Sequence, residues 1–254
     1  MQDTRDAWIR AIREAGRRWG VLLEDAACRR ILAHWEMVRA AQDRMNLTSL
    51  RGKAALYRLV VDSLSALWVY RGEEPAVDVG SGAGYPGMVL AAVFPEAEWT
   101  LVEARHKRAG FLAEAANRLG MQKVRIVAER AEELARRERG RYRFAVARAV
   151  GNLPLVAELT LPLLGVGGRL LAMRGPEGAQ EVAEAQGAVA ELGGRIEGQY
   201  AFELPEAEGR RVLVLIRKES PTDPRYPRRG GALGRFHGRP GAAKGDRPVT
   251  GGST

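Results

Sequence analysis

The sequence predicts an α/β fold: a mainly parallel sheet that ends in an antiparallel hairpin and follows an N-terminal helical segment. From Pro75 onward, short apolar runs alternate with amphipathic stretches, which is typical of a parallel sheet covered by helices on both faces. The last two runs, residues 195–203 and 210–217, flank the short segment LPEAEG and predict a hairpin. Before Pro75, apolar residues recur at helical spacing instead.

Each element has a local signal in the sequence. Apolar side chains at helical spacing, such as Ile31, Trp35 and Val38, predict two helices within residues 5–45 and a third over 53–70. The alternation that follows predicts strands over residues 76–80, 98–103, 123–128, 143–149 and 168–173, with helices over 86–94, 105–119, 131–139, 153–164 and 178–192.

Composition divides the chain into three segments. Residues 1–72 are expected to form a helical segment packed on the main domain, and residues 73–219 the α/β domain itself. Residues 220–254 contain five prolines and eight glycines and almost no apolar periodicity. They predict a basic, disordered tail that only an anionic partner would order.

The formal net charge of +9 points toward an anionic partner such as nucleic acid. Arginine outnumbers lysine by 35 to 5, and the chain is rich in alanine and glycine, which a GC-rich genome would produce anyway. The charge alone therefore leaves the presence of a nucleic-acid partner open.

Cysteine and histidine usage predicts a cytoplasmic protein without a metal. One cysteine, Cys28, excludes an intrachain disulfide and fits a reducing compartment. Three scattered histidines and the lack of a Cys/His cluster predict no metal site. The first residues lack a secretory profile and no uncharged apolar run reaches membrane-spanning length, so we expect no membrane association.

The most informative stretch, residues 75–87, reads PAVDVGSGAGYPG. An apolar run is followed by glycines at alternate positions, Gly80, Gly82 and Gly84, and then by a helix-like segment. Strand, glycine turn and helix is the layout that brings backbone close to a nucleotide-like ligand. Glu103 ends the next apolar run, 23 residues after Gly80, where a carboxylate can accept both hydroxyls of a ribose. These features predict an adenosine-containing cofactor.

The residue before the glycines indicates which cofactor. Residues 82–87 fit the dinucleotide pattern G-x-G-x-x-G, but a lone match is weak. Asp78 extends the motif to D-x-G-x-G-x-G, which resembles motif I of class I methyltransferases that use S-adenosylmethionine. A carboxylate there would repel a pyrophosphate and attract the cationic methionine end. S-adenosylmethionine is favoured, with NAD or FAD and a ligand-free glycine turn as alternatives.

The absence of certain motifs narrows the range of possible methyl acceptors. Asn152 and Pro154 only loosely match the motif of enzymes that methylate exocyclic amines, since no second proline or aromatic residue follows. Methylation at pyrimidine C5 needs a cysteine near strand four or five, and Cys28 lies in the N-terminal helices. Guanine N7 carries a free lone pair, needs no general base and requires only alignment with the methyl group. An already nucleophilic acceptor is therefore favoured.

Several short motifs occur in an order that is specific as a combination. They are MNLTS at 45–49, DSL at 62–64, the glycine motif at 77–87, Lys107-Arg108, Phe111-Leu112, Ala131-Glu132, Arg148-Ala149, Arg174-Gly175 and YPRRG at 226–230. Over about residues 25–230 the chain resembles the RsmG (GidB) family of bacterial 16S ribosomal RNA methyltransferases. The resemblance implies a class I fold and transfer of a methyl group from S-adenosylmethionine to guanosine N7 in the 530 loop. The expected partner is 16S ribosomal RNA, within the small subunit or an assembly intermediate, and a monomer is expected.

Residue roles follow from the motif and the resemblance together. Catalytic roles are expected for Arg148, beside the methyl-transfer centre, and for Asn46 and Arg174, which would close over the site and touch RNA. Arg228 and Arg229 are expected to help hold phosphates. Cofactor binding is expected at Asp78, Gly80, Gly82, Gly84, Tyr85, Glu103, Ala104, Arg105, Ala131, Glu132 and Arg148.

Structural alternatives stand beside these roles. Residues 46–48 could be an Asn/Thr turn that caps the following segment, and Arg148 could form an ion pair with Asp78 or Glu132. Lys107 and Arg108 could be a solvated helix face as readily as a phosphate contact.

The sequence also departs from the family pattern. Ala145 stands where the family has an aspartate, Leu59 where it has a histidine and Arg174 where it has a lysine, and a longer Gly/Arg tail follows Gly230. Two other functions therefore stay open. One is a class I methyltransferase with a protein or small-molecule acceptor, and the other is a non-catalytic ribosome-binding relative.

Overall fold

A seven-stranded sheet forms the centre of the protein in the computed structural model, which describes residues 2–236 apart from the side chains of Gln2, Asp3, Asp43 and Ala207. The strands are β1 (Ala76–Val79), β2 (Trp99–Val102), β3 (Val124–Val127), β4 (Tyr142–Arg148), β5 (Leu164–Arg174), β6 (Gly194–Glu203) and β7 (Arg210–Lys218). Their order across the sheet is β3-β2-β1-β4-β5-β7-β6. Strands β1 to β5 are parallel and β7 is antiparallel to both neighbours, which confirms the predicted hairpin.

This order has a topological switch point. The chain adds β2 and β3 on one side of β1, and then β4 and β5 on the other. The crossovers on the two sides leave a crevice at the carboxyl ends of β1 and β4, which is where open α/β sheets bind ligands. All four residues of β1 are buried because helices cover both faces of the sheet.

Helices surround the sheet. They are α1 (Gln2–Arg18), α2 (Asp25–Met45), α3 (Gly52–Ala55), α4 (Asp62–Leu64), α5 (Gly87–Val93), α6 (His106–Arg118), α7 (Ala131–Arg137), α8 (Leu153–Thr160) and α9 (Gly178–Glu191). Within the described residues, no helix combines the length and apolar character needed to cross a bilayer. The Asn152 side chain caps α8 by accepting a hydrogen bond from Leu155 N, and Pro162 follows in a short 3-10 turn where the predicted helix would have continued.

The third predicted helix, over 53–70, is irregular. A π-helical turn (Leu56–Val61) lies between α3 and α4, and a 3-10 turn (Ser65–Trp68) follows. A π turn adds a residue to the helical repeat and so releases backbone carbonyls from their usual partners. The carbonyls of Arg58 and Leu59 in this turn both accept hydrogen bonds from side chains. The irregularity therefore lies next to the end of β4.

The N-terminal helices belong to the core of the sheet domain. Trp35 in α2 and Leu64 in α4 are fully buried in one apolar cluster with Phe144 and Leu171 of the sheet. Trp19 meets Phe202 of β6 edge-on, with ring centroids 5.0 Å apart. The predicted packing of a helical segment on the main domain is thus visible in side-chain contacts, while the segment boundaries themselves stay predictions.

Residues 220–236 differ from the disordered tail that the sequence predicts. Tyr226 is buried, and Arg228 reaches the fully buried Glu158 of α8 with hydrogen bonds of 2.7 and 2.9 Å. A carboxylate removed from water needs a cationic partner, and no nearer residue of α8 supplies one. The packing of this segment therefore follows from a charge on α8 rather than from its own composition. The rest of the predicted tail, 237–254, lies outside the described residues.

Candidate active site

The glycine loop connects β1 to α5 at the switch point. Gly80, Gly82 and Gly84 have φ angles of +75°, +58° and +97°, in the left-handed region that favours glycine. A Cβ on Gly80 would lie 2.7 Å from Val150 Cγ2, and one on Gly84 would lie 2.6 Å from Met88 Cγ. Above Gly82 the nearest atom is the Gly80 carbonyl oxygen at 3.8 Å. Packing fixes two of the glycines, whereas Gly82 faces open space.

Asp78 lies beneath this loop with an unfilled acceptor. Its Oδ2 accepts a hydrogen bond of 3.0 Å from Gly87 N, and its buried Oδ1 has no partner among the described residues. Burial raises the pKa of Asp78 to about 7, against the opposing effects of the Gly87 N–H and the Arg148 charge. A buried carboxylate oxygen without a donor is costly, so this position suits a cationic ligand.

Glu103, at the end of β2, holds the loop in place. Its Oε2 accepts from Gly82 N at 3.0 Å and its Oε1 from Arg105 N at 2.8 Å. Each carboxylate oxygen keeps a further lone pair, so the group is able to accept ligand hydroxyls as well. Ala104 and Arg105 follow the carboxyl end of β2, and both are exposed.

Ala131 and Glu132 begin α7, directly after the residues that follow β3, and are half-buried. The Glu132 carboxylate lies 3.9 Å from Arg130 Nη1. Apart from Arg148, which ends β4, the predicted cofactor residues thus lie at the carboxyl ends of three adjacent strands, β1, β2 and β3. Their contacts with a cofactor stay predictions.

Tyr85 lies under the loop rather than in the cleft. Its side chain is 3% exposed, its hydroxyl has no partner among the described residues, and its ring centroid is 4.9 Å from that of His34. Neither ring nitrogen of His34 is paired with a described residue, and burial lowers the pKa of His34 to about 4. Tyr85 therefore supports the loop from below, and its predicted role as a cofactor contact remains a prediction.

Residues of the glycine loop and Glu103 together fit an adenosine-containing cation. Glu103 is placed to accept ribose hydroxyls, and the free Oδ1 of Asp78 favours a positively charged end over a pyrophosphate. No three metal-ligating side chains come together anywhere in residues 2–236, and the expectation of a metal-free protein stays a prediction.

Arg148 ends β4 beside this cleft, and its partner is neither of the two predicted ones. Its Nη1 donates to the Arg58 carbonyl at 2.9 Å and lies 3.4 Å from Asp62 Oδ2. Its guanidinium is 5.8 Å from the centre of the Tyr85 ring. The ion pair expected with Asp78 or Glu132 is thus replaced by one with Asp62, because the π turn brings residues 58–62 to the end of β4. Ala149 follows with φ +57°, a strained conformation for a residue other than glycine.

Arg174, at the end of β5, is tied to the protein. Its Nη2 donates to both carboxylate oxygens of Glu181, at 2.8 and 2.7 Å, and to the Gly151 carbonyl at 2.5 Å. Its buried Nε has no partner among the described residues.

Asn46 is not brought together with Arg148 and Arg174. It caps the C-terminus of α2 with φ +46°, and its carbonyl accepts a 3.0 Å hydrogen bond from Arg108. Thr48 Oγ1 accepts from Leu50 N at 3.1 Å, so residues 46–50 form a turn. The turn caps the preceding helix α2 and not the following segment, as the alternative interpretation had it, because α3 begins after Arg51 without a side-chain cap. Leu50, at the end of this turn, lines a cavity that Arg148 and Arg174 also line.

A cavity of about 530 Å³ opens at the carboxyl ends of β4 and β5. Its polar lining is dominated by guanidinium groups and includes one buried carboxylate: Arg58, Asp62, Arg148, Arg174 and Arg211. Arg211 Nε lies 3.5 Å from the same Asp62 oxygen that Arg148 approaches. No role is predicted for Arg58, Asp62 or Arg211 from the sequence, although the DSL motif at 62–64 is a signal for the carboxylate. We refer to these five residues as the arginine cavity.

Comparison with known proteins assigns the chain to a family. The family model for rRNA small subunit methyltransferase G, GidB, matches residues 27–203. The chain belongs to this family. A protein named Ribosomal RNA small subunit methyltransferase G from Symbiobacterium thermophilum is 42% identical over 84% of this chain and 90% of its own length. The protein of the same name from Pelotomaculum thermopropionicum is 37% identical over 87% of this chain and 94% of its own length. The resemblance to the RsmG family is confirmed.

Solved structures support the fold of this family member. The M. jannaschii TYW2 structure in complex with AdoMet aligns with a TM-score of 0.52 at 12% identity, over 66% of this chain and 76% of that one. P. horikoshii TYW2 in complex with MeSAdo aligns with a TM-score of 0.53 at 15% identity, over 67% and 65%. At such identities the likeness concerns the fold, and it confirms the predicted class I methyltransferase architecture.

Proposed function

We propose that this protein transfers a methyl group from S-adenosylmethionine to N7 of a guanosine in the 530 loop of 16S ribosomal RNA. The observation that carries the proposal is the arginine cavity, which lies at the ends of β4 and β5 next to the cleft of Asp78 and Glu103. A cationic cavity beside a cofactor cleft suits an anionic acceptor such as RNA. Membership of the rRNA small subunit methyltransferase G family supports the same assignment.

The proposed reaction needs few catalytic side chains. S-adenosylmethionine, when bound, supplies an electrophilic methyl group. Asp78 and Glu103 would orient it from below, and Arg148 stands between the two sites at the end of β4. The lone pair of guanine N7 is free at neutral pH, so no residue has to remove a proton before the attack. Alignment of N7 with the methyl group therefore accounts for the proposed catalysis.

Arginines of the cavity would hold the RNA backbone. Arg228, which was expected to contact phosphates, is instead paired with the buried Glu158, whereas Arg229 of the same segment is exposed. Because phosphate contacts release counterions, RNA affinity is expected to fall steeply with salt concentration. A flat salt response would contradict the proposal. Action on ribosomal RNA would place the protein in the cytoplasm, and a monomer remains the expectation.

The proposal is tested by methylation of defined substrates. Purified protein is incubated with labelled S-adenosylmethionine and with small subunits, assembly intermediates or naked 16S RNA from a strain that lacks 7-methylguanosine in the 530 loop. Chemical cleavage at 7-methylguanosine should then reveal a new cut in that loop. Label without that cut would reject the N7 assignment. Label only in protein or small molecules, or cofactor binding without any label, would support one of the two other functions.

Two arginines of the same strand provide a matched pair of variants. Arg148→Ala should keep the fold and lose methylation, because it removes the guanidinium between the two sites. Arg143→Ala should keep both, since Arg143 is exposed near the start of β4 and does not line the cavity. Equal activity of the two variants would remove Arg148 from the proposed site.

A further inference from the structure

Asp62 is the one acidic residue that lines the arginine cavity, and one of its oxygens is unused. The residue is 4% exposed. Its Oδ2 lies 3.4 Å from Arg148 Nη1 and 3.5 Å from Arg211 Nε, whereas its buried Oδ1 has no partner within residues 2–236. Neutralising an arginine needs one oxygen of a carboxylate, so the pairing leaves Oδ1 unexplained. A buried acceptor without a partner needs an explanation, and a donor from a ligand in the adjoining cavity would supply one.

Arg148 and Asp62 present a donor and an acceptor side by side. Arg148 Nη1 and Asp62 Oδ2 are hydrogen-bonded to each other at 3.4 Å, which holds the two side chains together and leaves Arg148 Nη2 and Asp62 Oδ1 as the donor and the acceptor for a ligand; both residues line the cavity. Guanine carries the complementary pair on neighbouring ring positions, with O6 as an acceptor and N1–H as a donor, and its N2 amino group is a further donor. We infer that Arg148 and Asp62 together recognise the O6/N1 edge of the target guanine, with Arg148 donating to O6 and Asp62 accepting from N1–H and N2–H.

This arrangement also orients the base for the proposed reaction, on which the inference rests. In guanine, O6 lies between N1 on one side and N7 on the other. If O6 binds Arg148 at the end of β4, then N1 and N2 point toward Asp62 in α4, and N7 points the other way. That direction leads to the neighbouring strand β1 and the cleft of Asp78. The same two contacts that select guanine would thus turn N7 toward the methyl donor.

Adenine would be rejected twice by this pair. Its amino group at position 6 is a donor and would face the Arg148 guanidinium, and its N1 is an acceptor and would face the Asp62 carboxylate. A site built to hydrogen-bond one edge rejects an analogue whose edge leaves buried groups unpaired. Arg58 and Arg211 also line the cavity, where Arg58 pairs with Glu208 at 2.6 Å and Arg211 with Asp62 at 3.5 Å. Asp62 is therefore proposed as a specificity-determining residue.

The test measures nucleotide binding, without methyl transfer, in protein saturated with S-adenosylhomocysteine. Calorimetric titration with GMP, IMP and AMP needs no variant. We expect GMP to bind at least about tenfold more tightly than AMP, with IMP between them because it lacks only the N2 amino group. Equal affinities for GMP and AMP, or no binding of GMP at millimolar concentration, would overturn the inference.

Asp62→Asn provides the second arm. The amide keeps the size of the side chain but replaces one of the two acceptor oxygens with an NH2 group. The GMP-to-AMP affinity ratio should therefore fall to near one, while S-adenosylhomocysteine affinity is unchanged. Asp223→Asn, at an exposed position that does not line the cavity, should keep the full ratio. A structural role alone would lower both affinities together and leave the ratio intact, which would also overturn the inference.

Parallel methylation assays separate this inference from the proposed function. Methylation at N7 in the 530 loop together with an unselective nucleotide site would overturn the inference and leave the function standing. Selective GMP binding that depends on Asp62, without methylation of the RNA, would do the reverse.

Discussion

Replacing Asp78 with asparagine should stabilise the folded protein at pH 8, although it alters the cofactor cleft. The carboxylate is 1% exposed and one of its oxygens lacks a partner among the described residues. Burial raises its pKa from 3.8 to about 7. Between these values the folded protein binds a proton that the unfolded chain does not, so the contribution of Asp78 to stability falls as the pH rises through this window.

The size of the effect follows from the shift in pKa. A rise from 3.8 to about 7 corresponds to about 4 kcal/mol in the free energy of unfolding above pH 7. The asparagine oxygen is able to keep the hydrogen bond from Gly87 N, but its amide adds buried N–H groups where Oδ1 was unpartnered, and this offsets part of the gain. We expect the variant to exceed the wild type by about 2–4 kcal/mol at pH 8, and the difference to shrink toward zero as the pH approaches 4.

Urea unfolding at pH 5, 6.5 and 8, without cofactor, measures this difference. His34 titrates in the same range with the opposite sign, because burial lowers its pKa to about 4 and its contribution to stability is lost as the pH falls. Both proteins carry His34, so subtraction isolates Asp78. A difference that is constant with pH, or a variant that is less stable at pH 8, would refute the reasoning.

Three further predictions concern the cleft and the C-terminal segment. Gly82→Val should weaken S-adenosylmethionine binding at least about tenfold, because the new side chain enters the open space above the loop. The control Gly120→Val, at φ +65° with no atom within 4 Å of its Cβ position, should carry the same backbone strain of about 1–3 kcal/mol and bind the cofactor normally. Equal affinities of the two variants in titrations would reject the loop assignment. S-adenosylmethionine affinity should rise with pH through about 7 as Asp78 ionises, and calorimetry in buffers of different ionisation enthalpy should detect net proton release on binding. Asp78→Asn should lose this pH dependence and the proton release. An unchanged pH profile in the variant would assign the protons to the ligand amine. Arg228→Ala should lower the free energy of unfolding by about 3–5 kcal/mol because it leaves the buried carboxylate of α8 unpaired. Arg229→Ala, at an exposed position, should leave denaturation unchanged, and similar losses in both variants would contradict the special role of the buried pair.

Local sequence patterns were sufficient for the sheet and the glycine loop. The alternation after Pro75 and the final pair of apolar runs predicted the order of elements, because burial on both faces and tight turns leave periodic traces in a single segment. Asp78 and Glu103 could likewise be found from their positions relative to the glycines. The observed helix boundaries differ from the predicted ones where a single residue ends the helix, as at Pro162 after α8.

The arginine cavity could not be predicted in the same way, because its contacts join distant parts of the chain. Asp62 meets Arg148 and Arg211, which are 86 and 149 positions away. Arg211 reaches the site only because β7 runs antiparallel and pairs Val212 with Arg174, which places the start of β7 at the carboxyl edge of the parallel strands. The docking of residues 220–236 similarly depends on Glu158, a charge on another element.

The π turn of residues 56–61 couples the packing of the N-terminal helices to that of β4. Its carbonyls hold the guanidinium at the end of that strand, and the helices around it share one apolar core with the sheet. A chimaera that joins two relatives at residue 72 would therefore separate Arg148 from its acceptors and mismatch side chains such as Phe144 and Leu64 across the junction. Exchange between relatives is expected to succeed only when the helices and the sheet face beneath them are inherited from the same parent.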